Sequence, residues 1–227
     1  MKQLRFVSLS FYRLKLRYQQ NLAGRRLAIL VLPTTSWPEI SQHDAEVLTA
    51  VNTIAAGDLV LEPQVAGHAA AMFLVLSDPA IFEFENAPPK SQAWLEERFA
   101  RLESRHSANG HEQWLNWVIR LPSGELAGYV QATVTREFVA YVAYELASKF
   151  WRRGIGSIAV GAMLTELGAI YRVKTFVAIL TARNARSMAF LRHLGFSVEP
   201  PAGLTPVEHE SDELVMYKGH VSGQNAG

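Results

Sequence analysis

Apolar and polar positions divide this chain at about residue 58. Beyond that point short apolar runs alternate with amphipathic stretches, and the best-punctuated part is 141–196. An apolar strand leads into a turn with two glycines, and a helix follows over 154–167. The β-branched, apolar run over 173–180 predicts a buried strand. Asn184 then opens a second helix as an N-cap type of residue, and Gly195 stops it, with Arg192 and His193 in the last turn.

The same reading extends upstream. Residues 58–63 predict a strand stopped by Pro63. Residues 65–76 predict a helix with an apolar stripe, closed by Ser77-Asp78-Pro79, and 90–105 a more charged helix. Between them, Ile81-Phe82-Glu83-Phe84-Glu85-Asn86 alternates apolar and polar positions. The apolar runs 113–121 and 125–133 flank Pro122-Ser123-Gly124, a turn signal, and form a hairpin that 137–146 extends into a meander. Residues 214–217, after a loop rich in proline and acid, supply a last strand. The expected fold is α/β (α+β), a mixed, mostly antiparallel sheet with flanking helices. No internal repeat is visible.

Length and composition narrow the options. The 227 residues, about half of them apolar, suit one domain with an extension. A net charge of +1 argues against a protein that works by coating nucleic acid. With no cysteine there is no disulfide, thiolate nucleophile or acyl-cysteine, which fits a reducing, cytoplasmic setting. No apolar run approaches the roughly 20 residues of a membrane span, so the expectation is a soluble chain. Residues 1–38 hold no acid, while Lys2, Arg5, Arg13, Lys15, Arg17, Arg25 and Arg26 are basic. That segment reads as a basic arm for RNA or a membrane surface, as an organelle-type presequence, or as a disordered or wrongly started terminus. Residues 34–38 read as a linker and 43–54 as a short helix. The expected division is thus an extension over 1–57, a domain over 58–221 and a flexible tail over 222–227.

The glycine turn carries the first chemistry. In Trp151-Arg152-Arg153-Gly154-Ile155-Gly156-Ser157 the glycines let backbone approach a ligand, and the first helix amides have no internal partners. Such amides, with the positive end of the helix dipole, hold phosphate. Arg152 and Arg153 add forked, permanently charged donors. Gly154 to Ala159 also satisfies a dinucleotide fingerprint. That alternative needs a turn straight from the strand and a carboxylate about 20 positions on. The strand that follows ends instead in Thr181-Ala182-Arg183, and an antiparallel meander upstream does not suit a doubly wound sheet.

With Gly154, Gly156, Asn184, Ser187, Gly195 and Phe196 in place, the segment resembles the acetyl-CoA-binding core of the GNAT superfamily of N-acetyltransferases. Its pattern is Arg/Gln-x-x-Gly-x-Gly/Ala, then Asn-x-x-Ser/Ala, then Gly-Phe. Trp151 departs from the Arg or Gln of many members. That aromatic, like Ser187, is similar to the Rim-type ribosomal-protein N-terminal acetyltransferases. The resemblance covers about 58–221 and implies the GNAT fold, with a sheet splayed in the middle. It also implies acetyl-CoA as cosubstrate, without metal. The pyrophosphate is expected at Arg152, Arg153, Gly154, Ile155, Gly156 and Ser157, and the pantetheine along the strand edge near Tyr144 to Ala147, with contacts from Leu146, Ala147 and Asn184. A backbone amide of that edge would polarise the thioester carbonyl. A family tyrosine seven positions after the asparagine is Leu191 here, so Ser187 is the substitute acid; its alternative role is to stabilise the helix start. Glu145 and Tyr141 share one parity on their strand and are the candidate bases. Glu145 also reads as a solvent-facing or paired carboxylate, and Glu83 and Glu85 are further candidates. Region 81–86 borders the acceptor in the family, while Phe82 and Phe84 also read as core. His68, His106, His111 and His193 lack metal spacing and read as surface or capping residues.

The expected reaction is direct acetyl transfer to a primary amine, a peptide N-terminus or a small molecule such as an aminoglycoside or polyamine. A non-catalytic acyl-CoA-binding regulatory domain and a basic-armed RNA- or ribosome-associated module are the alternatives. A monomer and a homodimer are equally compatible with the sequence, and a fold alone names no acceptor.

Overall fold

A computed structural model describes residues 51–84 and 87–220. The basic arm, the linker, most of the helix expected over 43–54, Glu85, Asn86 and the tail lie outside the described residues. The first described element is β1 (Ile54–Ala56), which forms a hairpin with β2 (Leu59–Pro63). Ile54 therefore begins a strand rather than ending a helix. Gly57, at φ 59°, supplies the left-handed backbone of the intervening turn.

The remaining strands are β3 (Glu112–Arg120), β4 (Leu126–Thr135), β5 (Val139–Leu146), β6 (Thr175–Thr181) and β7 (Glu213–Gly219). They form one sheet in sequence order, β1 to β7, and every neighbouring pair is antiparallel except β5 and β6. The expected meander and the crossover after it are both present.

Among the described residues four α-helices flank the sheet: α1 (Ala69–Val75), α2 (Gln92–Leu102), α3 (Ile155–Ala169) and α4 (Ala185–His193). The helix expected over 65–76 is split, with a 3-10 turn at Ala66–His68 before α1. There the Val65 N–H donates to Nδ1 of His68 at 3.2 Å. Helix α2 is capped by Ser91, whose hydroxyl accepts from the Trp94 N–H at 3.1 Å. Met72, Leu95 and Phe99 of α1 and α2 pack on Val118 of β3, with Tyr129 of β4 against the same cluster. The opposite face is covered by α3, whose Ala159, Val160, Met163 and Leu167 are buried.

The parallel pairing sets up the site. Val139, Ala140 and Tyr141 stand opposite Thr175, Phe176 and Val177, and there the β5–β6 register ends. β4 stays paired with β5 as far as Leu146, and β7 with β6 as far as Thr181. Both lips are thus held from outside while the sheet opens between them. This is the splay that the family resemblance implied.

Candidate active site

At the end of β5 the chain makes a 3-10 turn, Ser148–Phe150, and then the glycine turn. The Ser148 N–H donates to Oδ2 of Asp78 at 2.7 Å, and Oδ1 of Asp78 accepts from the Ala80 N–H at 3.0 Å. Hydrogen bonding from the Ser148 side chain leads the effects that hold the Asp78 carboxyl below its ordinary range, and the two backbone N–H bonds add to it. Arg152 has φ 59° and Gly154, the N-cap of α3, has φ 77°. Ile158 makes the first α-helical bond, to the Gly154 carbonyl at 3.0 Å. The amides of Ile155, Gly156 and Ser157 thus occupy the first turn, where helix N–H groups have no intrahelical acceptor. Arg152 and Arg153 are exposed beside them. A Cβ on Gly156 would lie 3.4 Å from the Phe190 ring, at van der Waals contact, which places the start of α3 beside α4.

Trp151 has a definite structural task. Its indole N–H donates to the Leu146 carbonyl at 2.7 Å, and the Arg186 guanidinium lies 3.9 Å from its ring centroid. Arg186 also pairs with Glu83 at 3.7 Å and lies 5.8 Å from the Phe84 ring. The Thr181 hydroxyl donates to the Phe84 carbonyl at 2.9 Å, which fixes the segment before α2 at the end of β6. Phe82 joins the core, whereas Phe84 faces Arg186.

Backbone alternation defines the open edge. The Ala147 N–H donates to the Ala127 carbonyl at 2.9 Å, and the Glu145 carbonyl presses on Gly128. Glu145 and Ala147 therefore direct these groups toward β4, and Tyr144 and Leu146 direct theirs toward the splay. Ala147 spends its N–H inside the sheet and Leu146 its carbonyl on Trp151. Of the two residues expected to meet the pantetheine, Leu146 presents its N–H to the gap.

On the α3 and α4 face, Asn184 is buried and its Oδ1 accepts from the Ser187 N–H at 3.0 Å. Asn184, not Ser187, thus caps the helix. The Ser187 hydroxyl instead accepts from Oη of Tyr144 at 3.2 Å, and the Tyr144 ring packs on Phe190 with centroids 4.7 Å apart. Leu191 is only 1% exposed, so the position of the family tyrosine faces the core here. Sequence reasoning named Ser187 and placed Tyr144 only on the pantetheine edge, so it missed the bond between them. The available signal was parity, because Tyr144 lies on the opposite face from Tyr141 and Glu145.

Those two residues lie across the sheet. Glu145 stands opposite Tyr129, which packs with α1 and α2, and Tyr141 stands opposite Val177 and packs with Val215 and Tyr217. Arg98 of α2 shares the Glu145 side. Burial pushes its guanidinium pKa down, while Tyr129 and Glu145 pull it up. Ser187 and the candidate bases therefore flank the splay from opposite faces. Glu83 is exposed and engaged with Arg186. Among the described residues no cluster of metal-binding side chains occurs, and His68 is a capping residue, its Nδ1 accepting from the Val65 N–H while its Nε2 lies 3.3 Å from the Glu62 carboxylate. Among the same residues no helix is long and apolar enough to cross a membrane.

The profile of a family described as acetyltransferase (GNAT) domain matches residues 58–197. No curated protein sequence matches the chain. Among solved structures, one is an acetyl transferase from Salmonella typhimurium that modifies the N-terminal serine of 50S ribosomal subunit protein L7/L12. It is similar at 19% identity and TM-score 0.63, over 75% of this chain and 100% of its own. RimL, a ribosomal L7/L12 α-N-protein acetyltransferase, in complex with coenzyme A, gives 19% and 0.62, over 74% and 98%. A ribosomal-protein-S5-alanine acetyltransferase from Vibrio fischeri gives 18% and 0.61, over 74% and 96%.

Proposed function

We propose, on the premise that this chain belongs to the GNAT acetyltransferase family, that it transfers the acetyl group of acetyl-CoA to a peptide N-terminal amine by direct attack in a ternary complex. The observation that carries this reading is the splay beyond Tyr141 and Val177, with an anion-type turn at its end and ionisable groups on both faces. Acetyl-CoA would supply the activated acyl group. Arg152, Arg153 and the amides of Ile155, Gly156 and Ser157 would hold its pyrophosphate. Leu146 would offer its N–H to the arm or the thioester carbonyl. Asn184 acts by fixing the start of α4, and with it Ser187.

The two faces suit two proton tasks. The attacking amine must lose a proton and the departing sulfur must gain one. Glu145, with Tyr141 nearby on its strand, serves the amine side, and Ser187 serves the sulfur side. The ribosomal-protein acetyltransferases among the similar structures favour a peptide acceptor over an aminoglycoside or polyamine.

The test is release of free CoA from acetyl-CoA with alanyl and seryl peptides, polyamines and an aminoglycoside. Release that depends on the peptides is expected. Release with small amines alone would replace the acceptor, and acetyl-CoA binding without any release would leave a regulatory binder.

A further inference from the structure

We infer that Tyr144 is the proton source behind Ser187, so that the two hydroxyls act as one donor chain toward the sulfur side of the site. This inference rests on the acetyl-transfer reading and adds to it a residue that the family pattern does not predict at this position. Three observations carry it. The Tyr144 phenol donates to the Ser187 hydroxyl at 3.2 Å, long for two hydroxyls but typical of a site that tightens with its ligands. The Tyr144 ring is fixed against Phe190, and the Ser187 backbone is fixed by Asn184. Tyr144 also lies on the splayed part of β5, beyond the last β6 partner.

The chemistry explains why a pair is needed. A hydroxyl accepts one hydrogen bond and still donates its own proton, so Ser187 can be filled from Tyr144 while it points elsewhere. An alcohol alone is a poor acid, whereas a phenol ionises near 10, close to a thiol at about 8.5. As the acceptor nitrogen bonds to the acetyl carbon, the carbon–sulfur bond breaks and its electron pair leaves on sulfur. Ser187 gives its proton to that sulfur and takes the proton of Tyr144. The proton lost by the nitrogen passes to Glu145 or to water on the other face. The base then releases that proton to solvent and solvent returns one to the phenolate, so the balance closes. Tyr144 is thus a positioning residue that acts through Ser187.

The experiment is the pH dependence of kcat with an alanyl peptide for the wild type, Tyr144→Phe, Ser187→Ala, the double variant, and protein carrying 3-fluorotyrosine at 144. In parallel, the ring-carbon resonance of Tyr144 is followed by NMR as CoA is added. Tyr144→Phe keeps the ring packing and should lower kcat on the order of 10- to 100-fold, with the acceptor KM little changed. It should also abolish the alkaline limb that loss of a phenol proton gives. Fluorotyrosine should move that limb to lower pH, the double variant should be no worse than the poorer single one, and CoA should shift the Tyr144 resonance. A kcat within about twofold of wild type with an unchanged pH profile in Tyr144→Phe would overturn the inference. If the wild type turns over no amine, the acetyl-transfer reading fails. The resonance then still decides the hydroxyl pair, and an unmoved Tyr144 signal on CoA addition overturns it.

Discussion

The Trp151 indole N–H donates to the Leu146 carbonyl at 2.7 Å, and this bond ties the last residue of β5 to the first residue of the glycine turn. It satisfies a carbonyl that faces the splay and stacks the ring beneath Arg186 at 3.9 Å. Where many family members place Arg or Gln, this chain has a residue that braces the turn from behind. Trp151→Phe retains an aromatic ring but deletes the donor. A neutral hydrogen bond contributes about 0.5–1.5 kcal/mol net. The expected result is a rise of roughly 2- to 10-fold in the acetyl-CoA KM, with a smaller change in kcat, checked by steady-state kinetics.

Gly128 has no Cβ because β5 leaves it no room. A Cβ built there would sit 2.0 Å from the Glu145 carbonyl oxygen and 2.9 Å from Cα of Leu146. Both contacts are backbone, so no side chain can swing away. Gly128→Ala should therefore displace β5 at the residues that border the splay. We expect a loss of several kcal/mol, read as a lower denaturant midpoint, together with weaker acetyl-CoA binding by calorimetry. Gly161→Ala is the control, since a Cβ on this α3 residue meets nothing within 4 Å.

Gly128 also marks the limit of what the sequence carries. The glycine turn and the Asn184 helix were legible because their rules are local: positive φ at Gly154, an N-cap at Asn184, a stop at Gly195. The meander was legible because turn residues separate its strands. β1 was not, because Ala55 and Ala56 favour helix, and only pairing with Val60 and Leu59 makes them strand. The Tyr144 and Ser187 hydroxyls meet across 43 positions. Parity separated Tyr144 from Glu145 but could not say which face α4 would cover. Trp151 stood out by identity alone, and its bond to Leu146 depends on how the turn folds back.

Asp78 connects the segment after α1 to the turn after β5 through its bonds to Ala80 and Ser148. Because its folded pKa is lowered, chiefly by hydrogen bonding from the Ser148 side chain, its contribution is present above the unfolded carboxyl pKa of about 3.9. That contribution is lost as the pH falls through the folded value. Asp78→Asn should lose stability at neutral pH and approach wild type in acid. Glu62, whose carboxyl the Arg120 bond also holds low, titrates in both proteins and cancels in the comparison. Urea melts from neutral pH to below 3.9 check the sign. A difference that widened toward low pH would contradict it.

Glu145 and Ser187 flank the splay from opposite faces, so their substitutions should fail in different ways. Glu145→Gln keeps the shape of the side chain but can no longer take a proton from the amine. It also removes the charge that attracts Arg98. If Glu145 serves the amine, kcat/KM for the peptide should fall on the order of 100-fold or more, and raising the pH should recover part of it as more amine is neutral. Acetyl-CoA affinity should stay within about twofold, because the phosphate-type turn and α4 are untouched. Ser187→Ala should gain nothing from that rise in pH, since its defect lies on the sulfur side. The comparison is a pH profile of kcat/KM for both variants with one alanyl peptide. Equal recovery in both would remove Glu145 from the amine side, and full activity of Glu145→Gln would leave Tyr141 as the candidate on that face.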